Sequence, residues 1–182
     1  MTWNIPGTVL TAKRDDAKYI EQQFTSMFFG GGIVLSQVAG ITGLETYTVQ
    51  NWVKREFLPP PEHKRYNMNQ LCRIVIINAL KSALPMEKIV QLISYVNGEL
   101  DDDRDDLIDD AKLYFLFVQL AARAKEGLSP EEWEEFLNAE LADYVEPVAG
   151  AKERVKKALW VMLTAWSAAR LQKQAEMLLE QL

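Results

Sequence analysis

Three consecutive prolines, Pro59-Pro60-Pro61, constrain this chain more than any other feature. Proline fixes φ and has no backbone N–H to donate, so a helix arriving through Leu58 must stop there. Upstream, Gly43 supplies the permissive backbone that a sharp turn between two helices needs. Between these two points a helix is expected from Glu45–Thr46 to about Glu56. Val49 and Val53 are four apart and face inward on it. Tyr47, Thr48, Gln50, Asn51 and Lys54 then fall on its outer side. Before the glycine, Ser36 is suited to cap a helix running through Gln37, Val38, Ala39 and Ile41. Val38 and Ile41 share a face with Leu35 and Leu44. Beyond the prolines, His63, Lys64, Arg65 and Tyr66 make a basic loop tip, and Asn67 or Asn69 caps the next helix.

Helix, tight turn, helix, proline stop, basic hairpin, helix: that order is the grammar of a winged helix-turn-helix, a module that reads DNA. The outer residues suit the task. Gln50 and Asn51 can pair bidentately with adenine, and Thr48 can bond a base or a phosphate. Tyr47 lies beside them. Lys54, Lys64 and Arg65 are candidate phosphate partners. Tyr66 packs the wing, and Trp52 and Tyr66 are expected to be packing rings rather than base-stacking ones. Glycine turns and apolar pairs three apart also occur in helical proteins that bind no DNA. A helix-turn-helix used as a protein-interaction adaptor is therefore the competing reading.

The stretch resembles the MerR family of bacterial transcription regulators. Val38-Ala39, Thr42-Gly43-Leu44, Phe57-Leu58-Pro59-Pro60 and Arg65-Tyr66 sit where that family's pattern expects them. The chain departs from it in three ways. Tyr47 and Gln50 stand where arginines are usual, Glu45 replaces the capping serine, and the wing is short. A closer resemblance is to a bacterial family known as domain of unknown function 1836. Gln50-Asn51-Trp52-Val53-Lys54, Leu58 to Pro61, Lys64-Arg65-Tyr66 and Leu80-Lys81 carry it. The resemblance covers Leu35 to Tyr95 and extends toward Phe117. It implies a MerR-like DNA-binding module and no known ligand or target.

Charge is distributed unevenly. Residues 1–98 hold 10 Lys and Arg against 7 Asp and Glu, whereas residues 99–182 hold 10 against 19, within a net charge of −6. A mildly basic head and an acidic body fit a DNA-reading segment joined to a protein-contacting one. The acidic total argues against a strong non-specific grip on nucleic acid and predicts modest affinity unless the protein dimerises. One cysteine and one histidine leave too little material for a zinc site, and Cys72, in the run LCRIVII, reads as a buried small hydrophobe. The single cysteine and the absence of a signal-peptide pattern at the N-terminus point to a reducing, cytoplasmic setting. No stretch approaches the ~20 apolar residues that span a bilayer. No enzyme, metal or cofactor is expected.

Asp15 or Asp16 is suited to start a helix through Phe29, with Ile20, Phe24, Met27 and Phe28 on one face. Gly30-Gly31-Gly32 ends it; without a following Lys-Ser/Thr pair it is a joint rather than a nucleotide loop. After the wing, an apolar helix runs from Asn69 to Ala83. A second runs from Pro85-Met86-Glu87 to Asn97-Gly98, a natural C-cap. Residues 101–110, DDDRDDLIDD, lack the glycine and terminal glutamate of a calcium loop. They read best as a solvated linker that ends in helix-starting charge; a looser metal site and DNA mimicry are weaker alternatives. Leu107 to Lys125 is a core helix. Ser129-Pro130-Glu131-Glu132 opens another, with Trp133, Phe136, Leu137 and Leu141 inward. Aromatics Trp133, Trp160, Trp166 and Tyr114 are candidates for an effector pocket, although rings at helical spacing are usually core. The last helix, 151–182, spans about 48 Å at ~1.5 Å per residue. Its first seam, Val155, Leu159, Met162, Trp166 and Ala169, suits packing within the subunit. Its second, Leu171, Ala175, Leu178 and Leu182, suits a partner helix.

The sequence thus predicts an all-α protein in three parts: an N-terminal helical arm (1–34), a MerR-like winged helix-turn-helix (35–98) and an acidic helical domain for dimerisation or sensing (99–182). Its expected partners are double-stranded DNA, a second copy, and an unidentified effector or protein.

Overall fold

A computed structural model describes residues 2–98, 100, 105–124 and 129–181. Helices dominate it. β1 (Thr2–Asn4) and β2 (Thr11–Lys13) form an antiparallel hairpin with Trp3 opposite Ala12. A 3-10 turn over Arg14–Tyr19 leads into α1 (Ile20–Ser26). The first part of the chain is therefore a hairpin followed by a short helix. The helix expected through Phe29 stops at Ser26, where Met27 and Phe28 donate back to Phe24 and Thr25 in a tight turn. Ile20 and Phe24 are buried as expected, but Met27 faces solvent.

The stretch 33–66 then builds as a unit. β3 (Ile33–Val34) runs straight into α2 (Leu35–Thr42), and α3 (Thr46–Lys54) follows. Val34, not Ser36, is the residue before the first helical turn. Its N–H donates to Gln37 Oε1 at 2.9 Å, while Ser36 sits inside the first turn. Gly43 adopts the left-handed conformation (φ 70°) that ends α2, and its N–H donates to Ala39 O at 2.8 Å. The two helices close over Val38, Leu44, Val49 and Trp52, all buried. β4 (Arg65–Tyr66) pairs antiparallel with β3, Ile33 opposite Tyr66 and Val34 opposite Arg65.

α4 (Met68–Leu80) is the axis of the molecule. Asn67 caps it by accepting from Gln70 N at 2.9 Å, and Gln70 Oε1 returns the bond to Asn67 N–H, the reciprocal capping box. Leu71, Cys72 and Ile74 to Ile77 are buried around its whole circumference, the pattern of a helix with packing on every side. α5 (Met86–Asn97), α6 (Asp110–Arg123) and α8 (Ala151–Leu179) pack against it, and α7 (Pro130–Glu140) lies on α8 through Trp133 and Trp160. Asp109 caps α6 through Lys112 N, and Ser129 and Glu132 form the expected box at α7. The acidic run is described only from Asp105 onward, so the expectation for residues 101–104 lies outside the described residues, as does the expected helix end at Gly127.

The N-terminal hairpin is stapled to this bundle. Tyr114 OH on α6 donates to Pro6 O at 2.8 Å, and Arg14 Nη1 donates to the carbonyls of Ala121 and Ala122 at the end of the same helix. Asn78 Nδ2 bridges Gly7 O (2.9 Å) and Thr42 O (3.0 Å), which ties the hairpin, α2 and α4 together. Buried residues from all three expected parts of the chain form one continuous core. Of the four candidate effector-pocket aromatics only two meet: Trp133 packs edge-on against Trp160, whereas Trp166 packs on Trp3 and Phe117, and Tyr114 on Phe24 and Phe115. On α8, Val155, Leu159, Met162 and Trp166 are buried, whereas every described residue from Arg170 onward is exposed.

Candidate nucleic-acid interface

α3 has two unlike faces. Val49 (0% exposed) and Trp52 (6%) anchor the inner one. The outer one presents Tyr47, 62% exposed, with Gln50, Asn51 and Lys54 also exposed. Thr48 is half-buried, and its N–H donates to Glu45 O at 3.0 Å in the first turn. Tyr47, Asn51 and Lys54 follow the spacing of one helix face, and Gln50 lies on the side toward the basic tip.

The tip is a tight hairpin turn. Arg65 N–H donates to Glu62 O at 2.8 Å, and both central residues are left-handed, His63 at φ 48° and Lys64 at φ 63°. That is the primed geometry whose twist matches paired strands, built here without glycine. The conformation aims the neighbouring side chains to opposite sides. Lys64 lines a groove of about 560 Å³ with Gln50 and Val53 of α3 and Leu35 and Ser36 of α2. His63 and Arg65 line a smaller hollow, about 200 Å³, on the other side of the tip with Gly31, Gly32 and Gln70. Arg65 Nη1 also donates to Gly32 O at 2.8 Å, so part of its donor set holds the tip to the chain before β3. Tyr66 is 3% exposed and packs as the ring under the tip; burial raises its phenol above the ordinary value.

Of the expected contact residues, then, Tyr47, Gln50, Asn51 and Lys54 are exposed on α3, and Gln50 and Lys64 line one groove. Thr48 is partly withdrawn, Arg65 points elsewhere, and Tyr66 is structural. Arg55 was not among the sequence candidates. It follows Lys54, keeps its side chain 61% exposed, and lies over the Phe57 ring at 4.6 Å. A cation at the end of a helix whose partner Glu87 is 3.9 Å away and itself 74% exposed is held loosely. The groove wall made by Val34 and Leu35 also escaped the sequence reading, since it exists only once β3 pairs with β4. Among the described residues no group of acidic, cysteine or histidine side chains is arranged to hold a metal ion, and no helix is long and apolar enough to cross a membrane.

Comparison with solved structures returned no significant match. Among curated proteins, the chain is 28% identical over 86 residues to the uncharacterized protein YkrK of Bacillus subtilis (strain 168); the match covers 45% of this chain and 37% of that protein. The chain thus spans little more than a third of that relative's length. The family described as a domain of unknown function (DUF1836) matches residues 17–117, from the 3-10 turn through most of α6 and including the whole α2–α3 unit and its basic tip. With more than half of its length matched, the chain belongs to the DUF1836 family.

Proposed function

We propose that this protein is a bacterial, sequence-specific, double-stranded-DNA-binding transcriptional regulator of MerR-like, winged helix-turn-helix type. The observation that carries the reading is the outer side of α3, where Tyr47, Gln50, Asn51 and Lys54 are exposed and Gln50 shares a groove with Lys64 of the tip. In this reading α3 enters the major groove, Gln50 and Asn51 read bases, and Tyr47 and Thr48 help position them. Lys54 and Lys64 meet phosphates, and the 62–66 hairpin, which Arg65 holds to Gly32 O, is the wing. No catalytic step and no cofactor belong to the reading, which places the protein in the cytoplasm.

The protein acts as a homodimer through the end of α8. Leu171 (67% exposed) and Leu178 (57%) leave an apolar stripe uncovered on a helix whose earlier seam is buried. An effector or protein partner would act through the acidic half. Selection from a random double-stranded DNA pool at low salt tests the proposal. A recurrent, dyad-symmetric motif supports it, and no enrichment by a folded sample overturns it.

A protein-interaction adaptor is the second reading, favoured by the net charge of −6 and its concentration in residues 99–182. Its partner would bind equally well to the Lys64→Ala and Arg65→Ala variants.

A further inference from the structure

The groove between α3 and the tip has a lining that a simple phosphate channel does not need. Its walls are mostly apolar, with Val34, Leu35 and Val53 prominent, and its polar side chains include Gln50 and Lys64. Among the described residues no carboxylate lines it. A polyanion therefore meets attraction from Lys64 and no opposing charge on the walls.

One edge of duplex DNA matches this mixture. In the major groove only thymine carries an apolar group, the C5 methyl, and its adenine partner offers the N7 acceptor and N6 donor that a glutamine amide engages bidentately. A G·C pair has no methyl to place against an apolar wall. Gln50 is exposed and in the middle of α3, with Val53 three residues further along and Leu35 at the start of α2.

We propose that this groove reads an A·T pair, with Gln50 on the adenine edge and the thymine methyl against Val34, Leu35 and Val53. Lys64 holds the flanking phosphate. The proposal rests on the DNA-binding reading and adds to it the base pair and the wall that selects it.

The test uses the full chain and the duplex it enriches, with deoxyuridine replacing each thymine in turn. Deoxyuridine lacks only the methyl. The expected result is a loss of about fourfold in affinity at one position per half-site, the worth of one buried methyl group, and no loss elsewhere. Gln50→Ala, a change at an exposed position, should flatten base preference at that same pair. A selected motif without an A·T pair, or equal binding of every uridine-substituted duplex, overturns the inference and leaves DNA binding standing. Failure to enrich any duplex overturns both.

Discussion

Arg73, in the middle of α4, donates its Nε to Asp110 Oδ2 at the start of α6 across 2.8 Å, and each side chain is only 9% exposed. Asn97 Nδ2, at the end of α5, donates to the other carboxylate oxygen at 3.1 Å. One carboxylate thus joins three helices. Removing it leaves a buried guanidinium without its anion. Asp110→Ala is expected to cost about 3–5 kcal/mol in urea unfolding. A cost below ~1 kcal/mol would contradict a buried, structural pair.

Gly7 offers a sharper geometric test. It sits at φ 73° with its carbonyl bonded to Asn78, and a Cβ there would lie 2.0 Å from the Val75 carbonyl oxygen. Backbone on a buried helix cannot retreat as a side-chain tip can. Gly7→Ala should therefore cost several kcal/mol. Gly150→Ala, at φ 80° with nothing within 4 Å of the new atom, should cost only the left-handed penalty of about 1–2 kcal/mol. Thermal melts of the two variants side by side check the ranking.

Alkaline pH should destabilise the fold through two buried groups. Burial pushes the Cys72 thiol well above its ordinary 9.0, with the charge of Asp110 adding to it, and pushes the Tyr114 phenol well above 10.0. Both stay protonated in the folded protein while the unfolded chain ionises. The stability they confer is fully present below about pH 9 and is lost as pH rises toward their folded values, at up to about 1.4 kcal/mol per pH unit for each group. Cys72→Ala should flatten the first part of that decline. The same burial predicts that a thiol reagent labels Cys72 at neutral pH only as fast as the protein opens.

At the tip, stability and the proposed function should separate. Lys64 holds φ 63° without being glycine. Lys64→Gly relieves that strain and should stabilise the protein by about 1 kcal/mol. The same change removes a cation from the groove and should weaken duplex binding. Paired melting and binding measurements on one variant check both signs.

Much of the central stretch was legible because its signals are local. The prolines, Gly43, the Asn67 cap and the Ser129 box each act within a few residues, and the helices fall where they point. β3 left no trace, because a two-residue strand has no periodicity and its partner lies more than thirty residues away. The glycines before it read as a joint, yet Gly32 O is the acceptor that fixes Arg65. The N-terminal hairpin was hidden because its strands, three residues each, are too short to show an alternation. The Arg73–Asp110 pair was concealed twice, once in an apolar helix and once in an acidic run whose other members mark a linker. The split side-chain directions of Lys64 and Arg65 depend on left-handed backbone that nothing in the residues His63-Lys64 announces.

The most direct test of the central claim is the salt dependence of duplex binding by the wild type, Lys54→Ala, Lys64→Ala and Arg55→Ala. If α3 and the tip grip phosphates, log Kd against log salt should be steep, and each lysine removed should lower the slope by about one with little change in sequence preference. Identical slopes for the wild type and both lysine variants would contradict DNA reading by this face.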